Sequence, residues 1–244
     1  MAPPAPEIGF DRFIPLNWVA VLLRVRSGRA QAAELNILLD DAGLGCEAKK
    51  KTWTKLNALG LAPRPDITDF VDRGVNIFAA ADSPNGLVTF SWGVASAAYP
   101  FFGKVSELIG RLTSLQGDCS VAEIHRRMSE KYGDRQVIKR ATQTVIQTQC
   151  AWGVLERSEG GKRLARRNPV VVGDEQHAIW LIEAALHCLG KALSVPRLSS
   201  LPVLYPFVLD QPLGYLVSKS SNLETMLEGA GGQFVRLLPT LPNI

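Results

Sequence analysis

The sequence predicts a mainly α-helical fold with small β-hairpins, laid out as helix-then-hairpin modules in tandem and closed by a helical C-terminal region. Three observations predict it. Apolar residues recur at three- and four-residue steps in segments separated by glycine, which is the spacing of amphipathic helices. Turn signals, Asn85-Gly86 and Gly160-Gly161, follow helical stretches and have apolar or extended segments on either side. Charge is unevenly placed: residues 118–172 hold 11 Lys and Arg against 6 Asp and Glu, although the whole 244-residue chain carries only +4. The flanks are balanced or acidic, with 12 against 11 in residues 1–117 and 4 against 6 in residues 173–244. With 46% apolar and 20% charged residues, the chain is neither disordered nor fibrous.

Membrane and export signals are not expected. No run of about 18 apolar residues is present, so no transmembrane helix is predicted. The start, MAPPAPEIGF, lacks a basic stretch followed by an apolar one, and residues 1–11 read as a disordered arm. Cys46, Cys119, Cys150 and Cys188 lie far apart with no Cys/His spacing of a metal site. Scattered thiols suit the reducing cytoplasm, where the protein is expected.

The first module is expected over residues 12–95. Leu16, Val19, Leu22 and Leu23 form one helical stripe; Ala32, Leu35, Leu38 and Leu39 form another, stopped by Gly43 and Gly45. Glu47 to Leu59 makes a third helix, with Trp53, Leu56 and Leu59 inward and Lys49, Lys50, Lys51 and Lys55 outward. A short helix from Asp66 to Arg73 follows. Two apolar runs, Val75–Ala81 and Leu87–Trp92, flank Asp82-Ser83-Pro84-Asn85-Gly86, which reads as a hairpin.

The second module, residues 96–172, is written more clearly. Phe102, Val105, Leu108, Ile109, Leu112 and Leu115 share one helix face, and Gly117 ends it. Asp118 or Ser120 can cap the next helix, with Glu123 as the capping-box partner of Ser120, and Asp134 can cap the one after. In that third helix Val137, Ile138, Ala141, Val145 and Ile146 face inward. Arg135, Gln136, Lys139, Arg140, Gln143 and Gln147 face out, without an acid among them. A strand at Trp152–Arg157, a turn at Glu159–Lys162 and a returning strand towards Val172 complete the module, with Pro169 confining that strand to an edge.

This stretch resembles the winged helix-turn-helix superfamily. The resemblance is carried by SVAEIHRRMSEKYG, DRQVIKRATQTVIQTQC and WGVLERSEGGKRLARR, and covers about residues 102–172. It implies a helix that enters the major groove of double-stranded DNA and a wing that grips the backbone. Arg140 and Gln136 suit base edges. Arg157, Lys162, Arg163, Arg166 and Arg167 suit phosphates. Lys50, Lys51 and Lys55 are candidates for contacts from the first module. The segment from Phe90 to Met128, with WGVL after it, is also similar to accessory proteins of bacterial phage-defence operons, which implies an antiviral or regulatory setting. Two other readings stand beside DNA binding: a winged-helix protein-interaction subunit of a larger complex, and a transcription regulator with a ligand-sensing tail.

Residues 173–244 begin with a helix that is apolar around most of its circumference (Ala178, Ile179, Leu181, Ile182, Ala185, Leu186, Leu189) and carries Trp180. Such a helix wants cover on two sides, which predicts a homodimer or partner contact. Residues 196–212 read as irregular, 213–228 as a last helix and 229–238 as a small hairpin. No phosphate loop, dinucleotide fingerprint, zinc-protease motif or nucleophile elbow is present, so no enzyme, cofactor or metal is expected. His125 reads as a solvated or phosphate-facing group. Glu183 and His187, four apart, would need a third ligand to hold a metal and read as an ordinary side-chain pair.

Overall fold

The structure, a computed structural model, describes residues 8–79, 83–198, 200–228 and 232–238. It is mainly helical, with small sheets of two and three strands. Helices α1 (Leu16–Arg26), α2 (Ala32–Asp41) and α3 (Cys46–Leu56) follow the predicted stripes, and α3 runs on into a π-turn at Asn57–Leu61. Leu35, Leu39, Leu56 and Leu59 are buried. The expected hairpin at 75–92 is replaced by two helices, α4 (Thr68–Phe78) and α5 (Pro84–Ala98). Ser83 decides this locally: its Oγ accepts the Gly86 amide at 3.0 Å, and Pro84 takes the first helical position. A helix buried on all sides has no polar stripe, so its run of apolar residues looks like a strand. Ala80, Ala81 and Asp82 of the expected hairpin lie outside the described residues. Residues 12–95 therefore show no wing among the described residues.

From α6 (Pro100–Gln116) onward the order is helix, strand, helix, helix, strand, strand. β1 (Asp118–Ser120) leads into α7 (Val121–Tyr132) and α8 (Gln136–Ala151), and then into β2 (Leu155–Ser158) and β3 (Arg163–Arg166). β3 is the middle strand, antiparallel to both neighbours, with Leu164 opposite Cys119 on one side and Arg157 on the other. The turn between β2 and β3 uses Glu159, Gly160 and Gly161 at positive φ (50°, 65° and 88°), as the paired glycines predict. The returning strand stops at Arg166 and does not run to Val172. Val170–Val172 is a separate strand, β4, which pairs in parallel with β6 (Phe207–Leu209) of the C-terminal region. Ser120 Oγ accepts the Glu123 amide at 3.0 Å, but the Glu123 carboxylate turns to Arg126 and Arg127 instead of closing the capping box.

The C-terminal region wraps this body. α9 (Glu175–Leu189) is capped by Asp174, whose Oδ1 accepts the His177 amide at 3.0 Å. β5 (Leu193–Ser194), α10 (Val195–Leu198) and a three-ten turn at Pro202–Leu204 give shape to the stretch expected to be irregular. The expected last helix is split into α11 (Leu213–Lys219) and β7 (Leu223–Glu228), and β7 pairs with β8 (Gly232–Leu237). The expected hairpin is thus shifted towards the N-terminus; residues 229–231 lie outside the described ones. The N-terminal arm is also corrected. Phe10 is fully buried, 5.5 Å from the Tyr99 ring and 5.1 Å from Phe102; residues 1–7 lie outside the described residues.

The wide apolar face of α9 is covered by this chain itself. Trp180 is 1% exposed, stacks on Phe70 of α4 at 4.5 Å and donates its Nε1–H to the Phe70 carbonyl at 2.9 Å. Ala178, Leu181, Ile182, Ala185 and Leu186 are buried as well. The reason for expecting a homodimer contact there, an unpartnered side with Trp180 as its anchor, is gone.

A Cβ added to Gly93 in α5 would lie 2.0 Å from Trp180. Gly93→Ala should therefore destabilise the protein by about 1–3 kcal/mol through overpacking, although alanine is the better helix former by about 1 kcal/mol. Gly214→Ala in α11, with no atom near its Cβ position, should be neutral or stabilising. Chemical denaturation of the two variants beside the parent checks the pair.

Candidate nucleic-acid interface

α8 is held by one face and free on the other. Ile138, Ala141, Thr142, Val145, Ile146 and Gln149 are buried. Gln149 ties the helix into the core: Tyr205 Oη–H donates to Gln149 Oε1 at 2.8 Å, and Gln149 Nε2–H donates to Ser106 Oγ of α6 at 2.7 Å. Arg135, Gln136, Lys139, Arg140 and Gln147 are exposed. Val137, expected inside, is 45% exposed; the buried set 138, 141, 142, 145, 149 leaves it one step off the inward stripe. Gln143 is half-buried and lies beside His125 of α7. His125 is half-buried, and burial lowers its pKa against the opposing pull of Gln143.

The cations fall into two sets. Some are spent within the fold. Lys139 reaches Asp134 at 2.8 Å. Arg126 and Arg127 grip Glu123, and Arg126 also holds Glu130. Arg163, expected on phosphate, donates its Nε–H to Asp118 Oδ2 at 2.6 Å, and a second bond from its Nη2 makes the pair bidentate across β1 and β3. That bond holds the Asp118 carboxyl below its usual range. Arg166, also expected on phosphate, turns inward instead: its Nε–H donates to Thr113 Oγ1 at 2.5 Å, its Nη2 reaches the Gly110 carbonyl, and its guanidinium lies over the Tyr205 ring at 5.3 Å. Arg167 faces Glu156 at 3.9 Å.

The other set has no acidic partner among the described residues. It comprises Lys131 at the end of α7, which lies over the Tyr132 ring, Arg135 just before α8, Arg140 on α8, Arg157 on β2 and Lys162 in the turn, all of them exposed. In the first module the lysine run is largely engaged: Lys49 meets Asp40 at 2.5 Å, Lys55 meets Asp11 at 3.4 Å, and Lys50 lies 3.8 Å from Glu47. Lys51 is exposed and has no ion pair among the described residues.

Glu183 and His187 do not pair with each other. Arg73 Nη2 donates to Glu183 Oε2 at 2.5 Å and Asn222 Nδ2 donates to Oε1 at 3.3 Å, while His187 lies 4.9 Å from the Phe70 ring. No family model, curated protein or solved structure matches the chain.

Two predictions follow from these placements. Arg163→Ala should lower the melting temperature, because it strands the half-buried Asp118, whereas Arg157→Ala and Lys162→Ala should leave it unchanged; thermal unfolding of the three variants separates the sets. The second concerns acid. Burial pushes His187 down to about 4 from 6.5, so the fold prefers the neutral imidazole, with Asp66 opposing the shift and Arg73 and Arg64 adding to it. The neutral preference is fully stabilising above pH 6.5, and stability falls as pH drops from there towards 4. His187→Gln should flatten that part of a denaturation-midpoint profile, and an unchanged slope would show that His187 does not titrate there.

Proposed function

We propose that this chain is a non-enzymatic double-stranded DNA-binding protein of the winged helix-turn-helix type. In this reading α8 enters the major groove and the β2–β3 hairpin lies along the backbone. The observation that carries it is that Arg135, Arg140, Arg157 and Lys162, four cations without an acidic partner among the described residues, lie at one helix and one hairpin that are adjacent in the chain and packed together. Unpaired exposed cations cost little to bring to phosphates, since no ion pair has to be broken first. The element order from α6 to β3 supports the same reading, as it is the order that this class of domain uses. Gln136 and Arg140, four apart, share the outward face of α8 and have the side chains that make paired hydrogen bonds to adenine and guanine edges. An antiviral or regulatory setting rests on the resemblance of the 90–155 stretch alone.

Duplex binding should weaken steeply with salt. With about four cations on phosphates, the log–log slope should be roughly −4. Fluorescence anisotropy of a labelled duplex at two salt concentrations measures it, and micromolar protein that leaves the duplex free at low salt ends the proposal. Arg157→Ala with Lys162→Ala should weaken all duplexes alike. Gln136→Ala or Arg140→Ala should cost about 1–3 kcal/mol on a preferred sequence and less elsewhere.

A further inference from the structure

A cavity of about 680 Å³ lies between α6, the inner face of β3 and the C-terminal segment that runs from α10 to the start of α11. Its apolar walls include Leu201, Leu204, Phe207 and Leu209, and at Leu115 and Val208 it keeps apolar side chains in solvent, 81% and 47% exposed. Leu115 was expected on the buried face of its helix. The walls carry two arginines, Arg111 and Arg166, and no acid among the described lining residues. Arg111 meets Glu107 at 2.5 Å, but Lys104 meets the same carboxylate at 2.7 Å, so this acid is shared by two cations. Arg166 has no acid partner among the described residues. Its Nε and Nη2 are bonded to neutral oxygens, and its Nη1 has no partner among the described residues. Burial pulls the Arg166 pKa down, as expected of a cation held without a counter-charge.

The geometry points to a binding site for a small amphipathic carboxylate, its apolar body against Leu201, Leu204 and Phe207 and its carboxylate on the free Nη1 edge of Arg166. A half-buried guanidinium without an acid is costly, and an anion that brings its own apolar body answers both the charge and the exposed apolar surface. The cavity has the size of ordinary small-molecule sites, and its few polar groups amid apolar walls have the usual composition of one. This inference stands apart from DNA binding and is tested with no nucleic acid present.

Titration calorimetry with octanoate and 1-octanol as probes, on the full chain, decides it. Octanoate should bind about tenfold or more tightly than octanol, the advantage of one charge-assisted contact. Arg166→Gln should abolish that preference. Since Arg166 also bonds Thr113 and Gly110, a second variant guards against a folding defect: Leu115→Glu places a negative charge at an already exposed position of the wall and should weaken octanoate more than octanol. No octanoate binding, equal binding of the two probes, or a preference untouched by both variants would each overturn the inference.

Discussion

The seat of Trp180 is the constraint on which the rest of the molecule depends. The indole lies between helices, with rings of Phe70 and Phe90 stacked at 4.5 and 5.8 Å and Phe78 edge-on at 5.1 Å. Two glycines make room for it. A Cβ at Gly74 of α4 would come within 2.5 Å of the ring, and one at Gly93 of α5 within 2.0 Å. An aromatic residue of this size, fully withdrawn from water, contributes on the order of 3–5 kcal/mol when judged by truncation. Its hydrogen bond to the Phe70 carbonyl removes the one polar penalty of burial. Because α9 is drawn in this way against α4 and α5, the N-terminal helices and the C-terminal region form one continuous core.

A second set of buried bonds fixes α8 and its neighbours to that core. Trp152, at the end of α8, donates its Nε1–H to the Ile14 carbonyl at 2.8 Å, and Trp92 donates to the Val203 carbonyl at 3.0 Å. The chain from Tyr205 through Gln149 to Ser106 continues to the Phe102 carbonyl at 2.9 Å. Apart from the last, which lies within α6, each bond joins segments far apart in sequence, and each donor would be expensive to leave unpaired in the interior. α8 is therefore presented by a rigid support, which lowers the ordering cost of any contact that its outer face makes.

The helices were legible where they are amphipathic. α1, α2, α6, α7 and α8 each have a polar side, and the spacing of their apolar residues marks them. α5 was not legible, because Val88, Phe90, Trp92, Val94 and Ala97 are buried around its whole circumference, and a helix with no wet face carries no 3.6-residue signal. The wide face of α9 was read correctly as a demand for cover on two sides. What one sequence cannot tell is who supplies that cover, since Phe70 and Phe78 lie about a hundred residues away. The parallel pairing of β4 with β6 was hidden for the same reason: a three-residue strand has no pattern of its own.

The arginines of the hairpin were legible as a group and misread one by one. Side chains alternate across a strand, so residues two apart share a face and residues three apart do not. Leu164 is buried, which sends Arg166 to the inner face with it and Arg163 to the other. On the inner face Arg166 finds Tyr205 and the carbonyl of α6. On the other, Arg163 finds Asp118, because the register sets Ser120, and not Asp118, opposite it, two residues away along β1 and within reach of a long side chain. Parity thus assigns both arginines to the fold, whereas Arg157 and Lys162 are exposed without an acidic partner among the described residues. A count of positive charges treats all of these residues as one patch; the pleat of a four-residue strand divides them into cations that hold the sheet and cations that remain free.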